Sequence, residues 1–329
     1  MIVTFNALNL ILHFYHAIVE NHDMKKNKSL ALLIALTICS LPTLAANSHC
    51  EAPYSDALPK YHYQLKKTFE VDGRQGITTD SKFYYVSGST TLSKYDMQGN
   101  LLATNKTPFE GYKIPANHIG DIDVYNNEIY VSAEWFMDGV GKDIQIAVHD
   151  ADTLKLKRTF PFNPESGQQE VSAITVDKVN NSIWMASWVG EESGRYLYEY
   201  DLDNGKYKRK VHLQPVPQWI QGIVAYQGDI YLTADDGTAD NKEVDNLYRV
   251  KIDKNSTNAP VVLERAFTDF KDYGEIEGVA INPQTHELLV HSNRGKQIVL
   301  GMPKGFYPGY DREISEVYVY GMEPSCKKP

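Results

Sequence analysis

Two columns of polar residues recur along this chain at wide, regular intervals, and their side chains are of the kinds that hold ions and ligands. The first column is Gln75, Ile119, Ser172, Gln221 and Glu277, each directly ahead of a small residue. The second is Ser89, Glu134, Trp188, Asp235 and Asn293, each closing a strand-like run. Glu134, Asp235, Glu277 and Asn293 make a hard, oxygen-rich donor set suited to Ca2+, and such an ion polarises an ester carbonyl or a bound water. The same side chains can instead satisfy backbone groups. His118 and Asp121, in Asn117-His118-Ile119-Gly120-Asp121, are candidates for catalytic acid–base work together with His291, because an imidazole changes charge near neutral pH. A lone histidine in a strand is more often a hydrogen-bonded structural residue. Gln75, Gln221, Trp188 and Trp219 are the candidate ligand contacts. With Tyr112 and Trp135, the two tryptophans form an aromatic rim for a sugar or flat ligand, unless they pack between sheets as buried aromatics commonly do. The acidic stretch 235–246 lacks the spacing of an EF-hand loop, and the chain has no nucleophile elbow, zinc motif or phosphate-binding glycine loop.

The elements that must position these columns are five repeats of a strand, a turn and a second strand. Their small residues stand at 76, 120, 173, 222 and 278, in steps of 44, 53, 49 and 56. Repeats of this length with several strands each predict a β-propeller. The second strands are β-branched and aromatic, as in Phe83-Tyr84-Tyr85-Val86 and Ile129-Tyr130-Val131. Turns such as Asn126-Asn127 and Gln227-Gly228-Asp229 supply hairpin conformations. Third strands follow, for example Tyr196-Leu197-Tyr198-Glu199-Tyr200, and four repeats add a fourth, such as Leu156-Lys157-Arg158-Thr159-Phe160. The fifth repeat ends without one. Leu65-Lys66-Lys67-Thr68-Phe69 nearly copies that segment, so the N-terminal strand is expected to complete the last blade and close the ring. The expectation is an all-β, single-domain propeller over 46–329, of five four-stranded blades. Six blades result if 294–329 and 50–72 form one of their own.

Met24 is followed by Lys25, Lys26 and Lys28, an apolar run over 30–41, and Pro42-Thr43-Leu44-Ala45-Ala46. This is the pattern of a secretory signal peptide over 24–45, cleaved after Ala45, and the run is too short for a permanent span. Residues 1–23 are read as translated from a start codon placed too far upstream, or else as an extended signal or a first membrane helix. Export, to the periplasm or fully outside, makes a Cys50–Cys326 disulfide the natural pairing, because Cys39 leaves with the signal. Such a long closure is worth about 5 kcal/mol in the loop-entropy account. The chain carries a net charge of −9, and losing 1–45 makes it one unit more acidic, which argues against nucleic acid as partner. A monomer without a membrane anchor is expected.

The small residue, the β-run and the acidic or amide end resemble the NHL-repeat and senescence-marker/gluconolactonase proteins. The resemblance covers the blade pattern across most of the chain after the signal. It implies a divalent cation held in the channel by Glu, Asn and Asp, with hydrolysis of lactones or phosphoesters. Glu277 ahead of Gly278 and Asp235 at a strand end match that pattern, whereas Gln221 stands where an Asn is expected, and the family usually has six blades. Two functions from different classes follow. One is an exported propeller binding a small molecule, glycan or protein at its channel mouth, and the other is a metal-assisted lactone or ester hydrolase.

Overall fold

The computed structural model describes residues 55–189, 192–235 and 239–325. The signal segment, residues 1–23, Cys50 and Cys326 lie outside them. Strand β1 (Tyr61–Val71) precedes four hairpin-connected groups. These are β2 (Ile77–Thr79), β3 (Phe83–Gly88), β4 (Thr91–Asp96) and β5 (Leu101–Asn105); then β6 (His118–Tyr125), β7 (Glu128–Met137), β8 (Val140–Asp150) and β9 (Leu156–Pro161). Next come β10 (Ala173–Asp177), β11 (Ser182–Ala186), β12 (Tyr196–Asp201) and β13 (Tyr207–Gln214), then β14 (Ile220–Tyr226), β15 (Asp229–Ala234), β16 (Asn246–Lys251) and β17 (Asn258–Ala266). The chain ends with β18 (Gly274–Ile281), β19 (Glu287–Arg294), a hairpin of β20 (Lys296–Val299) and β21 (Met302–Phe306), and β22 (Ile314–Pro324).

Each group is an antiparallel meander of four strands, so the fold is all-β and propeller-like. The last sheet runs β1-β22-β19-β18, with β1 paired along β22 from Tyr61↔Pro324 to Val71↔Ser315. The N-terminal strand therefore supplies the outer position that the fifth repeat lacks. Residues 294–324 do not form a four-stranded sheet of their own: β20 and β21 make a separate two-stranded hairpin, and β22 pairs with β19 and β1. One feature was not expected. The outer strands β13 and β17 pair in parallel over His212–Gln214 and Asn258–Pro260, fusing two groups into one eight-stranded sheet.

Strand alternation explains the packing. Tyr84 points to a core shared with Leu289, Val317 and Val319 of the last sheet, while Tyr85, one residue on, joins Ile119, Ile129 and Val131 of the next. Three further apolar cores occupy the remaining spaces between successive sheets. Each fully buried Val, Ile or Leu in them contributes about 1.5–3 kcal/mol. The first strands of the groups meet in sequence, β2 with β6, β6 with β10, β10 with β14, β14 with β18, and β18 again with β2.

The small-plus-polar strand ends have a structural task here. The Ser87 hydroxyl accepts from Gly76 N–H and donates to Gly120 C=O in the next group, each at 2.8 Å. Thr233 donates to Glu277 C=O at 2.5 Å and Ser172 to Ile220 C=O at 2.6 Å. These hydroxyls tie neighbouring sheets together and satisfy carbonyls that have no ladder partner where the strands splay.

Candidate functional site

Three of the five first strands carry an irregularity at the same place. The ladder slips between Ile119 and Ile122 in β6, between Ile220 and Gly222 in β14, and between Ile276 and Val279 in β18. A bulge inserts an unpaired residue and re-aims its side chain. Here it falls at Gln221 and Glu277, whose side chains face one end of the converging strands. Gln75, Ser172, Gln221 and Glu277 all line a cavity of about 320 Å³ there, together with His118. The second column divides. Trp188 and Asp235 line the cavity, and Glu134 lies behind His118. Asn293 bonds Glu277, and Ser89 accepts from Gln75 Nε2.

Charge is unevenly distributed around this space. Among the described residues Arg74 is the one Lys or Arg of the lining. It lies 3.1 Å from Glu275 and 3.5 Å from Glu277, with Nε 2.8 Å from Glu313 Oε1, off the angle of a hydrogen bond. Burial works against its charge, but Glu277, Glu275 and Glu313 hold it firmly protonated. Burial pushes the Glu277 carboxyl well above the usual carboxylate range, against the pull of Arg74, and raises Glu275 likewise. Asp245 is raised by burial and by the charge of Asp235, to which its side chain is hydrogen-bonded.

On the opposite wall, Glu170 Oε2 accepts from Trp188 N–H at 2.6 Å, and Glu134 Oε2 accepts from Val171 N–H at 3.2 Å. Both carboxyls are pushed well above their ordinary range, first by burial and for Glu170 also by Glu134. Glu134 Oε1 is wholly buried, has no hydrogen-bond partner among the described residues, and faces His118 Nδ1 at 3.6 Å. Burial, with Arg74 adding to it, lowers His118 to about 4, so its ring is neutral near pH 7; it packs at a tilt against Phe136, with ring centres 5.2 Å apart.

The cavity is roofed by the β20–β21 hairpin. Ile298, Val299, Leu300 and Gly301 face it, and Gly301 comes so near Phe136 that a Cβ would stand 2.5 Å from that ring. The aromatic walls are Phe136, Trp188, Trp219 and Tyr307, with Trp188 edge-on to Phe136. Trp219 has φ 50°, a left-handed conformation that costs a bulky residue about 1–3 kcal/mol and that the surrounding structure must impose. Tyr112 and Trp135 do not belong to this rim. Tyr112 hydroxyl bonds His149 Nε2 at 2.9 Å in an outer core, and Trp135 projects outward beside Lys142.

Two of the expected acid–base residues are not at the cavity. His291 is fully buried with Nδ1 2.7 Å from Gln75 C=O, a tie between the last and first sheets; burial lowers it to about 4. Asp121 sits where the innermost strands converge. Its Oδ1 accepts from Ile122 N–H and its Oδ2 from Ile223 N–H, and a Cβ on Gly76 or Gly278 would lie 2.5 or 2.6 Å from Oδ1. The glycines are needed because this carboxyl fills the space between the strands.

The donors expected for calcium do not fit a common ion. Asn293 Nδ2 donates to Glu277 Oε1 at 2.8 Å, Arg74 already supplies positive charge to Glu277, Asp235 is joined to Asp245, and Glu134 belongs with His118. Among the described residues no group of three or more His, Cys, Asp or Glu side chains is arranged to hold a metal ion. Sequence columns did not reveal Arg74, Glu170, Glu275, Tyr307 or the roof hairpin. Glu275 had one available signal, since it stands two residues before Glu277 on the same strand.

No family model matches this chain, and no curated protein sequence matches it. Among solved structures, hydrazine synthase of Kuenenia stuttgartiensis aligns with a TM-score of 0.41 at 13% identity, over 66% of this chain and 63% of that one. The chain thus spans less than two thirds of that protein chain's length.

Proposed function

We propose that this chain is an exported five-bladed β-propeller that binds a small molecule in the cavity beneath β20–β21. One observation carries the reading. Residues from all five repeats, including Gln75, His118, Ser172, Gln221 and Glu277, face one partly open cavity of about 320 Å³ with aromatic walls. A concave site with apolar walls and a few convergent polar groups is the ordinary form of a ligand pocket. The cyclic contacts of the first strands support the count of five blades. Export rests on the basic, apolar and small-residue succession over 24–45, and N-terminal sequencing of protein recovered from outside the cytoplasm tests it.

The binding reading is tested by thermal-shift screening of a small-molecule library of mixed charge against the wild type and Trp219→Ala. A ligand at a hundredfold excess over its Kd adds about 2.7 kcal/mol, a rise of about 5–10 °C for a domain of this size. The rise must be lost in Trp219→Ala. Stabilisation that survives this change, or no hit at all, refutes the reading.

A further inference from the structure

The polar lining of the cavity is unbalanced in a way that its own contacts do not resolve. Glu170, Asp235, Asp240, Glu275 and Glu277 face it, against Arg74 alone, and Arg74 is already engaged by Glu275, Glu277 and Glu313. His118 adds no charge, because burial keeps it neutral. Behind the lining stand two more buried acids, Glu134 and Asp245. Buried carboxyls without cations are held there only as neutral acids or by a positive partner. A free positive group arriving in this space would therefore meet carboxyls that can release their protons to solvent and pair with it as carboxylates.

The walls specify what sort of cation this is. A metal ion needs several hard oxygens converging on one point, which the described residues do not offer. Phe136, Trp188, Trp219 and Tyr307 instead present π-systems, and an ammonium or quaternary nitrogen is attracted to ring faces while a carboxylate neutralises it from a distance. The strained backbone of Trp219 holds one of these rings at the cavity. In the wall itself, His118 Nδ1 is buried and has no hydrogen-bond partner among the described residues, so the polar side of the site is not completed by its own contacts. An anion would face the surplus acids with no unpaired cation to receive it.

We propose that the ligand of this cavity is a small organic cation, an amine or a quaternary ammonium compound. The inference rests on the binding reading above and specifies its ligand. Isothermal titration calorimetry of the full exported chain tests it with four probes. These are choline, its neutral isostere 3,3-dimethylbutan-1-ol, putrescine and glucose. Choline or putrescine should bind, with choline about tenfold tighter than its isostere. Trp219→Ala and Glu275→Gln should each weaken the bound cation about tenfold, with circular dichroism confirming that both variants are folded. Equal binding of choline and its isostere overturns the proposal, as does failure of both cations to bind at millimolar concentration. Glucose binding that depends on Trp219, without cation binding, also overturns it while leaving the binding reading intact. Failure of all four probes together with an empty library screen removes both.

Discussion

The innermost strands have two ends, and their buried acids are treated in opposite ways. At the end where these strands finish, Asp123 lines a wider space of about 760 Å³. It accepts from Thr78 and Thr175 hydroxyls at 3.0 and 2.8 Å and from Val124 and Val176 N–H at 2.8 Å each. Glu199 in the same wall is matched by Arg209 at 2.6 Å and Lys208 at 3.2 Å. At the end where the strands begin, acids outnumber bases, and Glu134 Oε1 and His118 Nδ1 have no hydrogen-bond partner among the described residues. A wall whose polar groups are satisfied by the fold serves stability, and a wall whose polar groups are left over is available to something else. Among the described residues the wall of the larger space leaves one such atom, Trp184 Nε1, and that of the smaller space leaves Arg74 Nε and His118 Nδ1 beside its excess of acids, so the smaller one is the candidate site.

The sharpest way to break this comparison is at Asp121, midway between the two ends. Asp121→Ala strips acceptors from Ile122 and Ile223 N–H and empties the point where the strands meet. The expected loss is about 4 kcal/mol, from two buried N–H groups left unsatisfied at about 1–3 kcal/mol each, seen as a drop in melting temperature of about 10 °C. Asp121→Asn, which keeps the shape and one carbonyl acceptor, should lose far less. If Asp121→Asn instead abolished ligand binding without changing stability, the division into scaffold and site would be wrong.

Arg74→Met acts at the site end and should cost about 3 kcal/mol near neutral pH, because Glu275 and Glu277 then share a buried space without their cation, while Glu313 keeps Lys296 at 3.3 Å. The sign of its pH dependence follows from the same carboxyls. Glu275 and Glu277 have raised folded-state pKa values, so their contribution is fully present below the unfolded value and is lost as pH rises through the folded one. The penalty in Arg74→Met should therefore shrink on acidification. Denaturant melts of both proteins at several pH values would show it, and a penalty independent of pH would mean that Arg74 acts by packing.

Wild-type stability should pass through a maximum between two opposing limbs. Glu134, Glu170, Glu277 and Asp245 are all raised by burial, so stability falls on the alkaline side as they ionise. His118 and His291 are lowered to about 4, so the stability they carry is full above their unfolded value of 6.5 and is lost as pH falls toward 4. Each contributes on the order of 3 kcal/mol to the acid limb. His291→Gln should flatten that limb and leave ligand binding unchanged, because His291 bonds Gln75 C=O away from the cavity. His118→Gln should flatten it as well and alter binding, since His118 lines the wall.

How much of this was legible beforehand depends on whether a residue followed the repeat. The steps between residues 76 and 278, the turns, and the match of Leu65-Lys66-Lys67-Thr68-Phe69 to a missing outer strand are periodic signals, and the sheet order agrees with them. Four of the five first-column residues, Gln75, Ser172, Gln221 and Glu277, meet at one cavity, and Ile119 packs in a core. Asp121 misled because it sits inside the β6 bulge, where alternation no longer tells which way a side chain points. Arg74, Glu170 and the β20–β21 hairpin were hidden for another reason: each occurs in one repeat only, so no column of equivalents marks it. The site is thus built largely from departures from the repeat, laid on a frame that the repeat makes readable.

The smallest expected effect concerns the roof. Leu300 is 57% exposed at the hairpin tip yet faces the cavity, and Val299 beside it is also exposed. A side chain so placed contributes little to the cores between sheets, and Leu300→Ala should change stability by no more than about 0.5 kcal/mol. Its contact is with whatever lies beneath it, so the change should appear in dissociation, where most differences between related complexes arise. Stopped-flow fluorescence of Trp188 and Trp219 would report a faster off-rate with little change in on-rate. If both rates rose together, the hairpin would act as a gate on entry instead of a cover over the bound ligand. If neither changed, the hairpin would contribute nothing to binding at this end.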